Sequence, residues 1–390
     1  MGRDVFYITT PIYYPNDVPH IGHAYNAVAT DFIARYHRLR GEEVFHLTGT
    51  DEHGLKLQRA AEAAGMSAAG VGRRRWSRSG ARSGPGSTSP TTTTSGPRSR
   101  GTRRRSGRSC CAVYENGRDD IYLGHYEGLY CVSCELYYNE ADLLPGELCP
   151  IHEIRSSSSR KTTTSSGSPR TRTVCSSTTR STRRRSSRRP GGTRSSSVIR
   201  GGLQDFSISR TTFDWGVRLP WDETHINYVW FDALTNYITA AGYADDPDRF
   251  ARVWPANIHS IGKDILRQHA VYWPAMLMAA GVEPPMQVWA HGFLTVGGKK
   301  MSKTNATGIH PFELIDRFGV DSYRWFFMRE VQYGQDGSFS FEAMVDRHNA
   351  DLANGLGNLA SRVLAMLGDE LRRGRSRADR RRVGGRPARR

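Results

Sequence analysis

No run of apolar residues is long enough to cross a bilayer, and nothing resembling a secretory leader precedes the first strand-like stretch. Neither a membrane-spanning nor an exported protein is expected, and the compartment implied is the cytosol. Cysteine is scarce, with six in 390 residues. Acid is missing altogether from long stretches. Residues 72–109 carry 11 arginines and residues 155–194 carry 12 lysines and arginines, and neither has an Asp or Glu. Residues 371–390 carry 10 arginines against one Asp. These stretches hold +32 between them while the whole chain holds +17, so the remainder is acidic, at −15. The basic character that would suggest a polyanion partner therefore belongs to three segments and not to the rest.

Those segments are mostly Arg, Ser, Thr, Gly and Pro with almost no apolar periodicity, the composition of chains that bury too little to fold. Their placement fits poorly with basic arms, because each interrupts a strongly patterned region. Out-of-frame translation of a GC-rich gene explains them. A GAC repeat read one base late gives ACG, which is Thr, and a GAG repeat gives AGG, which is Arg. Genuine basic insertions are the alternative, and resequencing the gene separates the two.

The patterned part is organised around Pro19-His20-Ile21-Gly22-His23. Before it, Asp4 to Thr10 is β-branched and aromatic and reads as a buried strand. A loop over 11–18 is expected from its prolines and Asn/Asp. Apolar residues then recur at Ile21, Ala24, Val28, Phe32, Tyr36 and Leu39, a helical spacing that Gly41 would stop. A second strand follows at Val44–Thr48, ending in Gly49-Thr50-Asp51-Glu52-His53-Gly54. Strand, helix and strand in this order give a parallel pair with a right-handed crossover. The histidine pair then lies at a helix N-terminus beyond a strand's carboxyl end, a place suited to phosphate. Two surface histidines around a tight turn would be the plain alternative.

Near residue 300 comes Gly298-Lys299-Lys300-Met301-Ser302-Lys303-Thr304. Two lysines on a Gly-flanked loop can fold over a polyphosphate as mobile point charges; alone they would read as a solvated basic loop. Between the two motifs, Cys131-Val132-Ser133-Cys134 and Cys149-Pro150-Ile151-His152 form two chelating corners with the spacing and ligand softness of a structural zinc site. A disulfide, which a reducing compartment disfavours, or unrelated buried thiols are the alternatives. Cys110, Cys111 and Cys175 lie in or beside the odd stretches and receive no role. Tyr228–Ala233 reads as the start of the second half of the sheet. Ile258–Gly262 and Gln287–Phe293 read as further strands, with a helix from Ile265 to Met278 between them. Short helical segments are expected over 311–334 and a last helix from Met344 to Leu367. Repeated strand–helix units argue for an α/β fold with a parallel sheet covered by helices.

The two phosphate motifs, in this order, resemble the HIGH and KMSKS signatures of class I aminoacyl-tRNA synthetases. Pro11–Asn16, Gly49–Gly54, Tyr228–Tyr237, Gly262–Ile265, His269 and Trp273 narrow the resemblance to the methionyl-tRNA synthetases, and the likeness spans about three quarters of the chain. Thr304 stands where that family usually has Ser, keeping the hydroxyl. The resemblance implies a Rossmann-like domain in two halves (1–114 and 223–340). Between them it implies a connective insertion with one zinc (115–222), and after them the start of an anticodon-binding helical bundle (341–370) and a non-native basic tail (371–390). It implies methionine activation by ATP with Mg²⁺ and transfer to tRNA. His20, His23, Lys300 and Lys303 would be catalytic, with Gly22, Met301, Ser302 and Thr304 also at ATP. Ile12, Tyr14, Asp51, Trp230, Ala233, Leu234, Tyr237, His269 and Trp273 would form the methionine pocket. Cys131, Cys134, Cys149 and His152 would hold Zn²⁺. Rival readings are an inactive or truncated synthetase remnant and a basic nucleic-acid binder without catalysis. If the odd stretches are real, missing helices would leave a poorly folded, weakly active product.

Overall fold

The computed structural model describes residues 5–15, 19–68, 70, 92–95, 121–131, 136–138, 140, 143–150, 153–166, 206–211, 213–243, 245–296, 299–300 and 309–383. β1 (Val5–Tyr13) leads through α1 (Ile21–Leu39) to β2 (Glu43–Thr50). α2 (Leu55–Ala63) and β3 (Thr92–Ser95) complete the first half. β1 runs three residues further than the sequence predicts: Pro11–Tyr13, expected in a loop, continue the strand after a register shift against β2.

The insertion is antiparallel. β4 (Ile121–Cys131) pairs with β5 (Leu136–Tyr138) and with β6 (Ser157–Ser166), which in turn pairs with β7 (Phe206–Ser207). β8 (Ser209–Arg210), β9 (Arg218–Leu219) and β10 (Asp222–Asn227) form a small return sheet. Next come α3 (Val229–Ala233), α4 (Asn236–Ala241), α5 (Pro247–Val253) and β11 (Ile258–Gly262). α6 (Trp273–Ala279), β12 (Val288–His291), β13 (Leu294–Val296) and β14 (Lys299–Lys300) follow. The chain continues through α7 (Pro311–Phe318), α8 (Val320–Glu330), β15 (Gly337–Phe339), α9 (Phe341–Arg347) and α10 (Asn358–Val383).

Five strands make one sheet in the order β12-β11-β1-β2-β3, and every pairing in it is parallel. Chain order runs outward from β1 on one side and from β11 on the other. The order in which strands are added therefore reverses between β1 and β11, where an open α/β sheet leaves a crevice at its strand ends. One core cluster carries Tyr7, Phe45, Phe231, Leu234, Tyr237, Trp254 and Trp273. A second joins the start of α1 to α7, α8 and β13 through Ile21, Tyr25, Leu294, Leu314, Phe326 and Phe327.

Three expectations are corrected. Tyr228–Ala233 is no strand: Tyr228 caps the short helix α3, and the second half of the sheet is β11 and β12. A brief apolar run has no period that distinguishes strand from buried helix. The helix expected over Ile265–Met278 is broken into a tight turn at Lys263–Ile265, a wide turn at Gln268–Tyr272 and then α6. Pro274 in the first turn of α6 has no N–H to continue the preceding ladder. The helix expected over Met344–Leu367 is likewise interrupted by a wide-turned segment, His348–Gly357.

The three Arg-rich stretches also hold regular backbone. Thr92–Ser95 is the edge strand β3, Ser157–Ser166 is β6 in ten-residue register with β4, and α10 runs through residue 383. Threonine's β-branch suits a strand.

Candidate active site

The histidine pair lies where the sequence predicts. His20 is the N-cap of α1, and its Nδ1 accepts from the Gly22 N–H at 3.1 Å. His23 Nδ1 accepts from the His20 N–H at 3.3 Å, closing a reciprocal cap. With both Nδ1 atoms acting as acceptors, both ring protons sit on Nε2. Each imidazole is thus a fixed Nε2–H donor at the positive end of a 19-residue helix. Gly22 is required by this arrangement, since a Cβ there would meet His20 Cε1 at 2.9 Å. The rings lie 3.9 Å apart, and Tyr13 at the end of β1 sets its edge against His23.

The lysine loop grows from the other side of the crevice. Lys299 and Lys300 form β14, antiparallel to β13, which pairs in parallel with β15. The Ile21 N–H donates to the Ile309 carbonyl at 3.3 Å, so the chain returning from that loop meets the start of α1. Met301, Ser302, Lys303 and Thr304 lie outside the described residues. A joint holds this small sheet to β11: Lys263 Nζ sits 2.6 Å from Asp336, whose carboxylate also accepts from the Phe293 N–H.

The proposed methionine residues converge below. Ile12, Tyr14, Trp230, Leu234, Tyr237 and Trp273 share the large core cluster, with Ala233 beside them and His269 bonded into it. Tyr237 and Trp273 are fully buried, while Trp230 and Tyr14 are partly exposed. The Tyr237 hydroxyl donates to His269 Nε2 at 2.9 Å, and His269 Nδ1 donates to the Ile265 carbonyl. Burial lowers His269 to about 4, so it stays a neutral acceptor. Asp51 is buried at the end of β2, and its N–H donates to the Tyr13 carbonyl.

Several participants escape sequence reasoning. His259 is fully buried on β11, accepts from Trp273 Nε1–H at 3.2 Å and donates through Nδ1 to Thr9. Burial drives it well below the ordinary histidine range. Asn26 donates to Ser260, whose hydroxyl bonds Tyr333. His53 bonds Asp232 at 2.8 Å. His53 and Asp232 carried a signal, their places in the Gly49–Gly54 and Tyr228–Tyr237 runs; the others are lone residues in apolar strands and helices.

For zinc, Cys131 and Cys149 fit half of the expected set. Both are completely buried thiols in one small cluster with Tyr138, and no disulfide joins them. Cys134 and His152 lie outside the described residues, and among the described residues no larger group of metal-binding side chains gathers.

A family profile for class I tRNA synthetases (M) matches residues 6–186 and 180–364. The chain belongs to the methionyl class I tRNA synthetases. It is 46% identical over 381 residues to a methionine–tRNA ligase of Streptomyces coelicolor, covering 94% of this chain and 69% of that one. It is 47% identical to that of Mesorhizobium japonicum, covering 94% and 71%. Among solved structures it is similar to the Mycobacterium tuberculosis methionyl-tRNA synthetase in complex with methionyl-adenylate, with a TM-score of 0.83 at 42% identity, covering 94% of this chain and 72% of that one. Against the free-state structure of the same enzyme the TM-score is 0.72. Among the described residues, no helix is long and apolar enough to cross a membrane.

Proposed function

We propose that this chain joins methionine to tRNA in two steps. The methionine carboxylate attacks the α-phosphorus of ATP, giving methionyl-adenylate and releasing pyrophosphate. A ribose hydroxyl at the tRNA 3′ end then attacks the acyl carbon and AMP leaves. The protein's task is positioning and charge stabilisation, since no side chain need become covalently bound. His20 and His23 donate Nε2–H to α-phosphate oxygens as charge builds there, assisted by the positive end of the α1 dipole. Lys300 and Lys303 hold the β- and γ-phosphates and the departing pyrophosphate. Magnesium, when bound with ATP, supplies further countercharge. Trp230, Tyr237, Trp273, Ile12, Tyr14, Ala233 and Leu234 wall a slot whose aromatic faces suit a thioether, with neutral His269 at its polar end and Asp51 accepting the ammonium. Cys131, Cys134, Cys149 and His152 would hold one structural Zn²⁺, which would supply a cross-link within the insertion.

The observation that carries this reading is the doubly capped histidine turn at the switch point of the parallel sheet. Methionine-dependent ATP–pyrophosphate exchange tests it. The expected result is exchange with methionine well above leucine, isoleucine or valine, and a loss of 100-fold or more in His20→Ala and His23→Ala, the scale of removing one preorganised donor. Salt-sensitive RNA binding with no exchange would instead favour a basic nucleic-acid binder.

A further inference from the structure

Two buried carboxylates meet at one residue beside the amino-acid slot. The His53 main-chain N–H donates to Asp51 Oδ1 at 3.3 Å, and its Nδ1 donates to Asp232 Oδ2 at 2.8 Å. Asp51, His53 and Asp232 are all buried. The loop is held on its other sides as well. Trp215 sets its ring edge against the His53 imidazole, donates Nε1–H to the Glu52 carbonyl at 2.6 Å and accepts from the Gly54 N–H. Asp232 sits on α3 between Trp230 and Ala233, and the Thr235 hydroxyl and N–H both bond its main-chain carbonyl. Neither carboxylate is loosely placed.

One atom in this arrangement has no partner. Asp232 Oδ1 is buried and makes no hydrogen bond among the described residues. A buried carboxylate oxygen without a donor is costly, and such atoms call for an occupant. The local charge says which kind. Two buried carboxylates gather at one histidine, Asp51 on its main-chain N–H and Asp232 on its ring, and leave a place for a cation with several N–H donors; an α-ammonium group carries three.

We propose that Asp232 is a second acceptor for the methionine ammonium, and that His53 is the positioning residue that sets Asp232 and Asp51 at a fixed spacing around it. This rests on the assignment of Asp51 to the ammonium. The pair would distinguish an amino acid from the corresponding carboxylic acid: without the ammonium, the slot would keep two uncompensated buried carboxylates.

Direct binding, followed by tryptophan fluorescence or calorimetry without ATP, tests this. The probes are methionine, methioninol (ammonium, no carboxylate) and 4-(methylsulfanyl)butanoate (carboxylate, no ammonium). Asp232→Asn keeps an acceptor for His53 and removes the charge. It is expected to weaken methionine and methioninol tenfold or more, and to leave the ammonium-free acid within twofold or improved. His53→Gln is expected to weaken the same two ligands and spare the third. Loss of all three probes equally in Asp232→Asn, or of none, overturns the proposal. Asp51→Asn separates the two readings. If it leaves methioninol binding unchanged, the Asp51 assignment fails and this inference with it. If it weakens methioninol while Asp232→Asn does not, only the present inference fails.

Discussion

At the scale of single residues, the crevice depends on histidines kept neutral and on one missing side chain. Gly22→Ala brings a methyl group against the His20 ring. It should cost activity about 100-fold in pyrophosphate exchange while moving the thermal midpoint by only a few degrees, because the ring can swing toward solvent. The buried histidines set a pH dependence. Burial lowers both His46 and His269 to about 4, against about 6.5 when unfolded. Below 6.5 the unfolded chain takes up protons that the folded chain refuses, so stability is full above that pH and is lost as pH falls toward 4. Each histidine contributes a slope of about 1.4 kcal/mol per pH unit across that window. Denaturant midpoints between pH 7.5 and 4.5 should fall accordingly, and His46→Gln should remove one histidine's share of the slope.

At the scale of elements, α1 shows what the sequence could and could not give. Its start, its extent and its stop at Gly41 were legible. Its faces were not. The apolar stripe that periodicity identifies is the side toward α8, and Ile21, Tyr25 and Val28 are buried there. That neighbour covers only the first turns. Further along, Phe32, Tyr36 and Leu39 run on into solvent, Leu39 at 88% exposure. The side facing the sheet is built instead from Asn26, Thr30, Ile33 and Ala34, where Asn26 donates to Ser260 and Thr30 bonds His46. A small or polar residue facing a sheet looks like a solvent residue until its partner is known, and Ser260 lies 234 positions from Asn26. Long periodic strands such as β1 and β2 were readable for the opposite reason: their burial is written locally. The joint before the lysine loop makes a separate prediction. A Cβ at Gly292 would collide with the Gln335 backbone. Gly292→Ala should therefore destabilise by about 3 kcal/mol, read as a lowered denaturation midpoint, and should raise the KM for ATP.

At the scale of the whole molecule, the chain spans 69% of its Streptomyces relative, and its final helix lies open. Leu359, Leu364, Met366, Leu367 and Leu371 are each at least half exposed, and apolar side chains left exposed along one helix favour association. Sedimentation velocity should show concentration-dependent association, reduced by the paired change Leu364→Glu and Leu367→Glu. The acid-free stretches bear on the same scale. Their composition gave no hint that Thr92–Ser95 would close the edge of the main sheet or that Ser157–Ser166 would pair along β4. Main-chain pairing asks little of side-chain polarity, and it is invisible to patterns of apolar residues.

The reciprocal cap at His20 and His23 ties chemistry to architecture through the same two lone pairs. Protonating either ring would strengthen its pull on a nucleotide, yet it would also strip an acceptor from the first turn of α1, at about 1 kcal/mol per lost cap. Acid would thus fray the first turn of the helix whose dipole assists the imidazoles. A more cationic crevice is not a better one: this turn works in the uncharged form, and its helix enforces that choice.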